Sequence, residues 1–162
     1  MYWQTRKNLR YYQAVREMLC GYSGTLADVG CADTPIAQWG KFEKRVAINN
    51  REFPALPGVE CLQVDWMACE IEKVDVITCL QVVEHFETEY LRQFVNKLFE
   101  KSETTIISVP YMWPEGCNQW HPQDPVSLVK LIELVGREPV RVEVVNDFNV
   151  LRLVALFGKQ NR

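Results

Sequence analysis

The chain has two histidines, and each has a carboxylate close by. His85 directly follows Glu84, and His121 is followed by Asp124 within the same stretch. Imidazole is the side chain best matched to proton transfer near neutral pH, so His121 and His85 are the candidates for a general base. His121 lies in a long polar segment, residues 113–124, that also carries Trp113 and Trp120. Those tryptophans could stack on a sugar ring or simply anchor the segment. A plainer reading of His121 is that it caps a helix starting near Pro125. His121, Asp124 and Glu115 could also be combined into a metal set, but they lack the spacing that marks one, so no metal is expected.

The other polar candidates sit at regular places. Asp28, Gly30, Ala32 and Asp33 end one apolar run, and Asn49 and Asn50 end the next. Asp65, Trp66 and Met67 follow a third, Gln81, Glu84 and His85 a fourth, and Pro110, Tyr111 and Trp113 a fifth. The runs themselves, residues 26–29, 45–48, 59–64, 74–79 and 104–109, read as strands. The fourth is apolar throughout, as expected of a strand covered on both faces. Helical periodicity appears in Trp3, Leu9, Tyr12, Val15, Met18 and Leu19 before Gly21 and Gly24, and again over residues 87–101 and 125–135. Two closing strands, 140–145 and 150–157, are separated by too few residues for a helical crossover.

These elements predict a single α/β domain over residues 1–162: a Rossmann-like, doubly wound, mostly parallel seven-stranded sheet with an antiparallel last strand and helices on both faces. Between Asp65 and Val74 there is room only for a turn or a 3₁₀ piece. In such a sheet, ligands bind beyond the carboxyl ends of the strands, where the polar candidates collect.

Apolar residues make up 48% and charged residues 24%, the balance of an ordinary globular domain. A net charge of -3 argues against a nucleic-acid partner. No stretch has the length of a membrane span, so no membrane partner is expected. The six cysteines contain no C-x-x-C pair, and several lie in apolar runs, which suggests free thiols in a reducing, cytoplasmic setting. Oligomeric state has no signature in the sequence.

The segments "LADVGCADT", "RVAINN", "CLQVDWM" and "VDVITCLQVVEHF" resemble the successive motifs of class I S-adenosylmethionine (SAM)-dependent methyltransferases. The likeness runs over residues 25–157. "ISVPYMWPEG" and "HPQDPV" further resemble a subset found among bacterial surface-polysaccharide clusters. The resemblance implies SAM as cofactor, held by Asp28, Gly30, Ala32, Asn49, Asp65, Trp66, Gln81 and Glu84. It implies methyl transfer to an acceptor, by analogy a hydroxyl of a small molecule or saccharide, with His85 shaping the pocket; His121, in the loop after the fifth run, is then the candidate base by its place in the chain.

Two departures from the family pattern stand out. Ala32 and Thr34 replace the second and third glycines, which would harm a pyrophosphate site more than a SAM site. Asn49 replaces the usual acidic residue over the ribose, so one neutral acceptor stands in for a carboxylate, unless Asp33 takes that part. Those losses leave a second expectation, a methyltransferase-like fold kept as a binding or scaffold partner.

Overall fold

The computed structural model describes residues 1–158. Its centre is a sheet of seven strands: β1 (Thr25–Val29), β2 (Lys44–Asn49), β3 (Glu60–Gln63), β4 (Val74–Leu80), β5 (Ser102–Pro110), β6 (Arg141–Asp147) and β7 (Val150–Gly158). The spatial order is β3-β2-β1-β4-β5-β7-β6. The first five strands pair in parallel, and β7 runs antiparallel to both β5 and β6. Strand order reverses beside β1, so the carboxyl ends of β1 and β4 flank a crevice where a ligand can enter.

Alternation along the strands divides the core. Leu26, Val76, Ile106 and Val154 face α2 (Tyr11–Leu19), while Ala27, Ile77, Ile107 and Ala155 face α3 (Thr88–Lys101) and α4 (Leu128–Val135). In α3, Leu91, Phe94, Val95 and Leu98 recur at three- and four-residue steps and are all buried. In α4, Ser127 Oγ accepts from the Lys130 N–H at 3.1 Å, and Gly136 closes the helix in the left-handed region at φ 70°. The helix therefore starts three residues beyond the expected 125, because the Ser127 cap sets its origin.

The structure revises the sequence reading in two further places. The N-terminal periodicity is two helices, α1 (Tyr2–Arg6) and α2, rather than one. The start of α2 is held from across the chain: the buried Asp147 accepts from the Arg10 and Tyr11 N–H groups and pairs with Arg152 Nη1 at 3.1 Å. The other revision concerns the crossovers. Between β1 and β2 there is only a 3₁₀ turn, Ile36–Gln38, and between β3 and β4 only another, Trp66–Ala68. The second is what the short gap predicts. On this half of the sheet, Phe53, Leu56 and Val59 pack from a loop onto Cys31, Ala37 and Ala47, so a loop covers what a helix would otherwise cover. No helix among the described residues is long and apolar enough to cross a membrane.

Candidate functional site

The turn after β1 forms the crest of the site. Gly30 has φ 77° and donates its N–H to the Ile48 carbonyl at 2.8 Å. A Cβ at Gly30 would lie 2.5 Å from Val82 Cγ2, so the glycine is required by space as well as by conformation. Ala32 keeps the left-handed backbone of a glycine, at φ 48°, despite its methyl group. That conformation costs an L-residue roughly 1–2 kcal/mol. Thr34 has a use that glycine would lack. Its hydroxyl donates to Asp28 Oδ2 at 3.4 Å, and Thr78 Oγ1 donates to Asp28 Oδ1 at 2.7 Å. Asp28 is buried, and burial pushes its carboxyl up to about 7 although both hydroxyls favour the charged form.

Two cavities meet at this crest, sharing Gly30, Ala32, Gln81 and His85. The larger, about 670 Å³, lies over the ends of β2 and β3 and is bordered by Ile48, Asn49, Asp65, Trp66, Phe86, Tyr90 and Phe94. Asn49 Nδ2 donates to the Arg51 carbonyl at 3.0 Å, which leaves the amide oxygen as its acceptor. Asp65 Oδ1 accepts from the Met67 N–H at 2.8 Å and caps the 3₁₀ turn, leaving the other oxygen for a ligand. Trp66 is buried and its indole N–H donates to the Phe94 carbonyl at 3.3 Å, so it offers the cavity an apolar wall only. Gln81, in the left-handed region at φ 57°, is fixed by Nε2 donation to Ser108 Oγ at 3.2 Å. Asp33 does not border this cavity. Its Oδ1 accepts from the Trp3 N–H at 2.7 Å, where it caps α1.

The smaller cavity, about 260 Å³, lies on the other side of the crest, among Tyr2, Arg6, Tyr11, Asp28, Glu84, Trp113 and His121. Glu84 is buried, its carboxyl pushed up to about 8 by that burial. Its Oε2 has no hydrogen-bond partner among the described residues. The His85 and His121 rings meet edge to face at 4.7 Å. His85 Nδ1 lies 2.9 Å from the Trp120 carbonyl, and desolvation lowers the pKa of this ring. His121 Nδ1 lies 3.0 Å from Asp124 Oδ2, and its Nε2 lies 2.9 Å from Asn118 Nδ2. His121 is not the cap of α4, since Ser127 fills that role. The two tryptophans of the segment divide. Trp113 anchors it by donating to the Leu151 carbonyl at 3.1 Å, while Trp120 is 68% exposed. Glu115 is exposed and lines neither cavity.

Among the site residues, Tyr2, Arg6 and Tyr11 escaped sequence reading. They belong to N-terminal helices whose periodicity signals core packing, and nothing local shows that they turn toward the strand ends. Asn118 escaped for the same reason, as an amide in a polar loop.

No protein-family model matches the sequence, and no curated protein matches it. Solved structures do. The magnesium protoporphyrin IX methyltransferase ChlM from Synechocystis PCC 6803, with bound SAM, superposes at TM-score 0.62 with 16% identity, covering 98% of this chain and 80% of that one. The N-methyltransferase NodS from Bradyrhizobium japonicum WM9, in complex with S-adenosylhomocysteine (SAH), gives 0.67 and 14%, covering 91% and 84%. A DhpI–SAH complex gives 0.65 and 9%, covering 99% and 87%. Identity this low speaks to architecture, and with the observed strand order it shows that the chain has the Rossmann-like fold of the class I SAM-dependent methyltransferases.

Proposed function

We propose that the chain is a SAM-dependent methyltransferase that methylates a hydroxyl of a small molecule or saccharide. The observation that carries this reading is the pair of cavities joined across Gly30 and Gln81, one with nucleoside acceptors and the other with a histidine pair. The donor set suits the cofactor. Asn49 and Asp65 would hold ribose and adenine against the apolar wall of Phe86, Tyr90 and Phe94. Asp28 and Arg6 would meet the ammonium and carboxylate of the amino-acid part, and Gly30, Ala32 and Gln81 would border its passage between the cavities. When bound, SAM supplies an electrophilic methyl group on a sulfonium.

The chain's own contribution is alignment and proton handling. Positioning of acceptor and methyl carbon accounts for much of the rate in such a displacement. His121 borders the cavity where the acceptor would sit; its Nε2 would exchange the Asn118 amide, 2.9 Å away, for the hydroxyl, and Asp124 behind the ring favours the imidazolium that forms when His121 takes the proton. Glu84 and His85 shape the wall between cofactor and acceptor.

The test uses methyl-labelled SAM with a panel of hydroxylated acceptors, sugars first. Label should pass to an acceptor with the unmodified chain, and His121→Gln should lower the rate by roughly 10²–10⁴, the usual share of a general base. A folded chain that binds SAH but transfers no label fits the scaffold reading instead. Equal rates in both chains would remove His121 from the reaction.

A further inference from the structure

Glu84, His85 and His121 each bring one donor atom to a common place on the wall of the smaller cavity, and these atoms lie within 4.8 Å of one another. Glu84 and His85 belong to the 3₁₀ turn Val83–His85 after β4, while His121 comes from the distant loop of residues 113–124. Glu84 is 1% exposed, and its Oε2 has no hydrogen-bond partner among the described residues. A buried carboxylate oxygen without a donor is costly, and such an atom is normally completed by a ligand or ion.

The two rings are prepared in the same way. His85 Nδ1–H donates to the Trp120 carbonyl at 2.9 Å, and His121 Nδ1–H donates to Asp124 Oδ2 at 3.0 Å. Fixing the Nδ1 proton leaves a lone pair on each Nε2. An oxygen acceptor behind the ring is the arrangement that orients histidines on a metal ion.

We propose that Glu84, His85 and His121 bind a divalent first-row transition cation of the zinc class at the acceptor end of the cleft. Two imidazole nitrogens and one carboxylate oxygen match zinc and its neighbours better than magnesium or calcium, which take oxygen shells. Ion–ligand bonds of about 2.0–2.2 Å at tetrahedral angles set two donors on one ion about 3.3–3.6 Å apart. The widest pair therefore closes in by up to about 1.5 Å, which rotation of the exposed His85 side chain and of the 113–124 loop supplies. Asn118 Nδ2, now 2.9 Å from His121 Nε2, swings away on its loop. Three protein ligands leave a position open toward the cavity, as in catalytic zinc sites.

The role of the ion rests on the methyltransferase reading: an acceptor oxygen fills the open position, and its proton passes to solvent more readily there. In the ion-loaded chain His121 is a ligand, and the ion takes over the activation of the acceptor that His121 as base provides in the metal-free chain. Binding of the ion does not depend on that reading.

The test is calorimetric titration with Zn(II) alone. It is run on the full chain and on a Cys20→Ser/Cys117→Ser background, which removes the two exposed thiols. One zinc per chain is expected in both. His85→Ala, at an exposed position that folding tolerates, and Glu84→Gln should each weaken binding at least tenfold, since even outer-shell changes cost 10–100-fold. Asp124→Asn should weaken it by about 10–100-fold. No saturable binding, binding lost with the two thiols, or affinity unchanged in His85→Ala overturns the proposal. SAH titration of the same samples separates the two claims. SAH binding without zinc binding removes only the metal, and zinc binding without SAH binding removes only the methyltransferase reading.

Discussion

The two cavities are neighbours, but they are built differently. The larger one is assembled at the ends of β1, β2, β3 and β4, strands adjacent in the sheet, and its polar groups Asn49, Asp65 and Gln81 lie at or within two residues of a strand end. The smaller one joins Tyr2 and Arg6 from one end of the chain to Glu84 from the middle and His121 from a late loop. Strand order alone creates the first. The second depends on particular hydrogen bonds, Asp33 to Trp3, Asp147 to Arg10 and Tyr11, and His121 to Asp124. Damage to those bonds should therefore open one cavity and spare the other.

Asp147→Ala should break that comparison open most strongly. It leaves Arg152 buried and unpaired and frees the start of α2, a loss of about 3–5 kcal/mol for a broken buried pair. Thermal denaturation should show a fall on the order of 10 °C. At low temperature, where the chain is still folded, adenosine should bind as before, because it needs only the larger cavity. Loss of adenosine binding as well would mean that the two cavities are not independent.

Next comes pH. Burial pushes the Asp28 carboxyl up to about 7 in the folded chain, against roughly 3.9 for a free carboxyl in the unfolded one. The folded state thus holds the extra proton between those values, so stability falls as pH rises from about 4 through 7, by up to about 4 kcal/mol. Glu84, raised to about 8, adds a change of the same sign. Urea midpoints across this range should decline, and Asp28→Asn should flatten part of the decline. A rise in stability with pH would contradict the buried, largely neutral Asp28.

Gly30→Ala acts on the shared crest. The new Cβ meets Val82 and needs a left-handed backbone, together worth roughly 2 kcal/mol. SAH affinity should fall at least tenfold and melting temperature by several degrees. A variant that melts early but keeps its SAH affinity would mean that the ligand does not cross there. Asn49→Asp should have the smallest effect and the opposite sign. A carboxylate can accept from both ribose hydroxyls, so calorimetry should find SAH binding tighter by a factor of a few to ten. Unchanged affinity would place the ribose away from β2.

Legibility in the sequence follows the same division. Each parallel strand is a short apolar run closed by polar residues, so Asp28, Gly30, Asn49, Asp65 and Gln81 could be placed at the rim from spacing alone. The antiparallel β6–β7 pair was legible because Asn146–Asn149 is too short for a crossover. What spacing does not carry is long-range hydrogen bonding. The break between α1 and α2 depends on Asp147, and Asp33, which looked free for a ribose, serves to cap α1. Thr34 read as a lost glycine because its value lies in a bond to Asp28 that only the folded turn creates. The meeting of Glu84 and His85 with His121 was hidden in the same way, since it depends on how one loop folds over β4 and β5.

Isothermal titration of SAH into the purified chain is the most direct test of a SAM-type cofactor lying across Gly30 with its nucleoside in the larger cavity. Saturable binding of one SAH per chain is expected, with adenosine alone retaining weaker binding at the same site and displaced by SAH. A well-folded chain that gives no heat with SAH or SAM at millimolar concentration would contradict it.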